Sequence, residues 1–105
     1  MANISVVGRI VSDDIELKIS TNNRPYLRFD LAERTGKGAY ARTQYYQVVA
    51  FGAIASQFAK RGLCRGALIS VEGTLELEDY LKRDGWTRDK RLKVIALRWR
   101  YLQPY

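Results

Sequence analysis

The chain has 105 residues and a net charge of +7, and 47% of its residues are apolar, which is typical of one folded domain rather than of a disordered chain. The apolar runs are too short for a membrane helix. The single cysteine, Cys64, excludes an intrachain disulfide, and the absence of histidine removes the most common general base and metal ligand.

The first half of the chain has the alternation of β-strands. Residues 4–11 are rich in β-branched side chains, and Gly8 predicts a bulge or a tight bend among them. Residues 26–34 and 43–51 alternate as well, and residues 35–41 between them predict a flexible hairpin tip. Before these two segments, residues 15–19 also alternate, which predicts a short strand with Ile15, Leu17 and Ile19 on one face.

The second half begins with the only helical pattern. Ile54 and Phe58 lie four residues apart within residues 53–61, and Gly62 is well placed to end a helix there. Strands follow at 67–75 and 92–101. The segment between them, residues 75–89, predicts a long hairpin that turns at Asp84-Gly85.

Three strands, one helix and two further strands predict an all-β fold with one short helix. A helix at that point is typical of the OB-fold, a five-stranded barrel, here with long β-hairpins. An SH3-like barrel or a sandwich fits less well, because neither has a helix there. We expect Phe29 and Phe58 in the core. Trp99 shares an alternating face with Ile95 and Leu97, which predicts a place in the core or at a subunit interface.

Aromatic and basic side chains are interleaved on the two hairpins, and the excess of basic residues favours a polyanionic partner. Aromatic rings stack on unpaired bases whatever their identity, and cations beside the rings contact the phosphates. The candidate stacking residues are Tyr45, Phe51, Tyr80 and Trp86. The candidate cations are Arg28, Arg34, Lys37, Arg42, Lys82 and Arg88.

The acidic pairs and the single cysteine, which are residue types found in enzyme sites, have simpler interpretations here. Asp13-Asp14 are turn formers, and Glu76 and Glu78 belong to an exposed strand face. Cys64 has no histidine to activate it. Because no group of residues has metal-ligand spacing either, we expect no catalytic site, no metal and no cofactor.

Four segments, in order along residues 3–101, together resemble the DNA-binding domain of bacterial and phage single-stranded DNA-binding proteins (SSB). They are VGRI at residues 7–10, FDLA at 29–32, TQYYQVVAFG at 43–52, and KRG at 60–62 followed by RGALISVEGTL at 65–75. The resemblance implies an OB-fold that assembles as a homotetramer with paired first strands. It also implies sequence-tolerant coating of single-stranded DNA in replication, recombination or repair.

The resemblance also suggests roles for individual positions. Tyr45 and Tyr80 stand where the family has stacking tryptophans, and Phe51 matches a stacking phenylalanine. Arg65 matches a basic phosphate contact. A further family tryptophan has no clear counterpart, and Tyr40 is the nearest substitute.

The chain departs from the family pattern in its charges. Gln47 stands where a basic residue is common, and it is included among the expected DNA contacts. Glu76, Glu78 and Asp79 approach Tyr80 where basic residues are usual, which should weaken binding locally or alter the path of the DNA.

Residues 1–105 contain no acidic C-terminal tail of the kind that recruits replication proteins, so we treat such recruitment as doubtful. A phage or mobile-element origin fits this pattern. We expect one OB-fold domain over 1–105, in the cytoplasm and associated with the nucleoid, with no membrane contact. Two alternatives stay open, an OB-fold adaptor that binds a replication protein, as in a primosome, and an RNA-binding module.

Overall fold

The computed structural model describes residues 2–103, which form five long strands, one short strand and one α-helix. In chain order the elements are β1 (Ala2–Ile10), β2 (Lys18–Ile19), β3 (Pro25–Thr35), a 3-10 turn (Gly38–Tyr40), β4 (Arg42–Phe51), α1 (Gly52–Arg61), β5 (Leu68–Leu81) and β6 (Arg88–Gln103).

The five long strands close into a barrel in the order β1-β5-β6-β4-β3, and β2 is added at the edge of β3. Closure depends on β1, which pairs with β5 over most of its length and then with β3 through Arg9 and Ile10. β4 and β6 run parallel, whereas the other neighbours are antiparallel. This architecture confirms the predicted five-stranded OB-fold, with α1 between the third and fourth long strands.

The core fills the inside of the barrel with apolar side chains from every long strand and from α1. The predicted inward set of β3 is confirmed, because Leu27, Phe29 and Leu31 are all nearly inaccessible to solvent. Phe29 stacks on Phe58 of α1 with ring centroids 4.6 Å apart. This contact attaches the helix to the barrel.

The predicted helix is confirmed to within one residue. Ala55 and Phe58 are its buried positions, and Gly62 ends it in the left-handed conformation at φ 70°. At this angle the Gly62 N–H donates to the carbonyl of Ala59, and a side chain there would be strained. Within residues 2–103 no helix is long and apolar enough to cross a membrane.

The long β5–β6 hairpin turns where the sequence predicts. Gly85 has φ 84°, and the Asp84 carboxylate accepts hydrogen bonds from the backbone N–H groups of Trp86 and Thr87. The turn is therefore closed by Asp84, and the Trp86 side chain is left 81% exposed.

The β5–β6 pairing contains a bulge at Leu97. Glu72 pairs with Arg98 and Gly73 pairs with Ala96, so Leu97 faces no residue of β5. An extra residue in one strand reverses which side chains point inward beyond it.

This bulge makes the predicted common face of Ile95, Leu97 and Trp99 wrong. Ala96 points into the core before the bulge and Trp99 after it, while Leu97 is 59% exposed. Trp99 packs edge-on against Phe58 with centroids 5.1 Å apart. Its expected place against the core is thus confirmed, although its predicted neighbours are not.

Two expectations for the N-terminal part are wrong in part. Gly8 predicts a bulge or a tight bend, and the bulge is absent because β1 runs past Gly8 without a shift in its pairing to β5. The glycine is required by space instead, because a Cβ there would lie 2.5 Å from the carbonyl oxygen of Ala32. Residues 15–19 form only the two-residue β2, and Leu17 and Ile19 are exposed because no layer covers them.

We expect Phe58→Ala to lower the free energy of unfolding by about 3–5 kcal/mol, because the cavity would separate α1 from Phe29 and Trp99. Urea denaturation measures the loss. Gln57→Ala, at an exposed position of the same helix, is the control and should change stability by less than about 0.5 kcal/mol. Equal effects of the two variants would contradict this account of the core.

Candidate nucleic-acid interface

An open groove of about 340 Å³ lies on the outer face of the barrel. The outer face is here the outward surface of β3, β4, β6 and β5, opposite to the core. The strand register explains the groove, because outward residues of neighbouring strands lie side by side: Tyr26 beside Phe51, Arg28 beside Val49 and Gln47 beside Lys93. Its lining residues are Ser20, Thr21, Tyr26, Arg28, Gln47, Val49, Phe51, Glu78 and Lys93.

One end of the groove is aromatic. The rings of Tyr26 and Phe51 lie 6.4 Å apart at an angle of 34°. The guanidinium of Arg24 lies 5.1 Å from the centre of the Phe51 ring. A cation over a ring face is attracted by the ring's negative potential, so this end combines a stacking surface with a positive charge.

The opposite wall carries an ion-pair cluster built on Glu78. Its carboxylate accepts from Arg91 at 2.7 Å and from Lys93 at 3.0 Å, and these two cations hold the pKa of Glu78 below its usual value. The guanidinium of Arg91 also lies 4.8 Å from the centre of the Tyr80 ring. The Glu78 side chain is only 29% exposed, so the interpretation of Glu78 as part of a freely exposed face is wrong.

The outer face continues onto the β3–β4 hairpin, which carries further candidate residues. Tyr45 points outward from β4 and is 60% exposed, and Tyr40 in the 3-10 turn is 86% exposed. The cations of this hairpin, Arg34, Lys37 and Arg42, are all exposed.

The tip of the β5–β6 hairpin carries a second group of exposed candidate residues. Trp86 lies in the turn, and Arg88 begins β6. Lys82 is exposed but lies 3.5 Å from a carboxylate oxygen of Asp89. Part of the positive charge on this hairpin is therefore matched by its own acids.

Arg65 does not join this group of residues. It lies in the connection between α1 and β5, where its guanidinium is 2.7 Å from the Asp13 carboxylate. Both side chains are mostly exposed, so the pair is weak and a phosphate could replace the carboxylate. Arg65 stays a candidate for a phosphate contact away from the groove.

Sequence reasoning missed three aromatic or basic residues in or beside the groove as binding candidates. Tyr26 and Lys93 line it, and Arg24 lies over Phe51. The signal for Tyr26 was present, since it alternates with Arg28 along β3. Lys93 and Arg24 required the β4–β6 pairing and the approach of the β2–β3 turn, which no local pattern encodes.

The arrangement suits a flexible polyanion with accessible flat rings. Uncharged aromatic surfaces lie in the groove and on both hairpins, and exposed cations lie beside them. Within the described part of the chain, no cluster of three or more acidic or cysteine side chains could hold a metal ion.

Comparison with known proteins gives one family match and a match of the overall fold. The model of the Single-strand binding protein family matches residues 1–102. A comparison with curated proteins found no match. Among solved structures, the chain is similar to the small single-stranded DNA-binding protein from Streptomyces coelicolor, with a TM-score of 0.79 and 21% identity over 95% of this chain and 93% of that one. At this identity the likeness shows the fold alone.

The Glu78 cluster predicts a pH-dependent stability. Because the pKa of Glu78 is lowered in the folded state, its stabilisation is present above the unfolded pKa and is lost as the pH falls through the folded pKa. We expect Glu78→Gln to unfold more easily than the wild type at neutral pH, and the difference to disappear in acid. Urea denaturation of both proteins over a pH series measures this, and a difference independent of pH would contradict it.

Proposed function

Since this chain belongs to the single-strand binding protein family, we propose that the groove and the two hairpins are its surface for single-stranded DNA. Binding of single-stranded DNA is the function of the chain, and the family consists of DNA-binding proteins without enzymatic activity. The observation that carries the proposal is the groove itself, where Tyr26, Phe51 and Arg28 converge.

In the proposed mode, bases stack on rings and the backbone follows exposed cations. Tyr45, Phe51 and Tyr80 supply the main stacking surfaces, and Tyr40 and Trp86 supply further ones at the hairpin tips. Gln47 offers an amide to a base edge in the groove. The proposed phosphate contacts are Arg28, Arg34, Lys37, Arg42, Arg65, Lys82 and Arg88. Since stacking does not depend on base identity, binding tolerates sequence and suits a protein that coats DNA.

We propose further that copies of the chain associate through β1, into a homotetramer built from dimers. Supporting this, β3 pairs with β1 only at Arg9 and Ile10. Within the described residues, one edge of residues 2–8 therefore has no partner strand, and such edges pair readily with other chains. Val7 and Leu97 expose apolar surface, 49% and 59% respectively, on β1 and on the β6 bulge.

The biological role that fits this mode is protection of single strands during replication, recombination or repair, at the nucleoid. The supporting argument is chemical, because a sequence-tolerant stacking surface binds any exposed strand. Competition between DNA and RNA oligomers of the same sequence tests the choice of nucleic acid. Preference for RNA would overturn this role.

We expect Tyr45→Ala and Tyr80→Ala each to weaken binding to oligothymidine by about 1–3 kcal/mol, the usual contribution of one base–ring stack. Fluorescence titration measures the affinity. Tyr45→Phe keeps the ring and should bind like the wild type. If both alanine variants bind normally, the proposed surface is wrong.

We expect Val7→Lys to lower the mass of the assembly in solution, because it places charges near one another along the paired β1 edges. Light scattering measures the mass. Leu17→Lys is the matched control, since Leu17 is similarly exposed at 43% but lies outside β1. An unchanged mass for Val7→Lys, or an equal loss in both variants, would count against association through β1.

A further inference from the structure

The middle of the outer face is unusually acidic for a surface that binds a polyanion. Four residues lie side by side across the strands in one row: Asp30 on β3, Gln47 on β4, Lys93 on β6 and Glu76 on β5. Glu78 lies one outward position further along β5 and lines the groove. The only cation of the row, Lys93, is 3.0 Å from Glu78.

From this arrangement we infer that Glu78 is a positioning residue that keeps phosphate away from its own wall of the groove and turns the bases of the bound strand toward that wall. The inference rests on the proposed function, because it assumes that the strand crosses this face. Glu78 is then the residue that changes the path of the DNA locally, a change expected from the acidic stretch before Tyr80.

The contacts of Glu78 explain how it acts. Its two carboxylate oxygens are divided between two cations, with Oε1 on Arg91 and Oε2 on Lys93. All three side chains are about one third exposed or less, at 29%, 35% and 24% respectively, so solvent screens these attractions less than at an open surface. A phosphate would have to displace the carboxylate from both cations while approaching its negative charge.

A base meets no such obstacle. It is uncharged, it can stack on Phe51 or Tyr80, and the Gln47 amide can donate to or accept from its edge. The cations outside the cluster, such as Arg28 and Arg42, are exposed and remain available for the backbone. Bases over the groove and phosphates along its rim therefore satisfy both sets of groups.

The first test is the salt dependence of binding to oligothymidine. Each phosphate neutralised on a single strand contributes about −0.7 to the slope of log K against log salt. Glu78→Gln frees Arg91 and Lys93, so we expect its slope to be steeper than that of the wild type by about 0.7–1.4. Glu78→Asp keeps the charge and should keep the wild-type slope.

The matched control is Glu72→Gln, which makes the same change in net charge. Glu72 is also on β5 and is also ion-paired, with Arg98 at 3.4 Å, but it does not line the groove. We expect its slope to remain that of the wild type. An unchanged slope for Glu78→Gln, or an equal steepening in both glutamine variants, would overturn the inference.

The second test separates phosphates from bases. A strand of abasic sites with the same length presents the backbone alone. Glu78→Gln should gain more affinity for the abasic strand than for oligothymidine. Only the abasic strand binds wholly through phosphate contacts. Equal gains would overturn the inference. Normal DNA binding by both Tyr45→Ala and Tyr80→Ala would instead show that the strand does not cross this face, which is failure of the proposed function itself.

Discussion

The double pairing of β1 is the constraint on which the rest of the molecule depends. One strand bonds to β5 along most of its length and then to β3, and this joins the two ends of the sheet. Closure requires the backbones to approach so closely at Gly8 that a Cβ would meet the Ala32 carbonyl at 2.5 Å. Once the sheet is closed, every long strand has one side that faces the core and one side that faces outward.

That division sets the chemistry of the outer face. The side chains that point away from the core on β3, β4 and β6 become neighbours, which brings Tyr26 beside Phe51 and Gln47 beside Lys93. The same register places Glu78 against the cations of β6. A protein with a net charge of +7 thus has a proposed binding face whose centre is acidic and whose exposed cations, such as Arg28 and Arg42, lie around that centre. In the proposed mode, the net charge attracts the strand and the local distribution of charge orients it.

Strands and turns were predictable where a local pattern has one physical cause. Alternation predicted the buried set of β3, and Gly62 and Asp84-Gly85 predicted how α1 and the hairpin end. Prediction from a local pattern failed where burial depends on residues elsewhere in the chain. Leu97 breaks the alternation of β6 through a bulge that only the pairing with β5 reveals, and Ile19 alternates without any layer to cover it.

The sequence by itself determined the class of partner and the fold. A basic excess, rings interleaved with cations and one helix after three strands are local properties, and the family motifs preserve their order. The tertiary structure decided which of those groups meet. Arg65 is held at Asp13, Arg24 covers Phe51, and Glu78 joins Arg91 to Lys93. These contacts depend on strand register and barrel closure, which bring together residues distant in the chain and so leave no local signal.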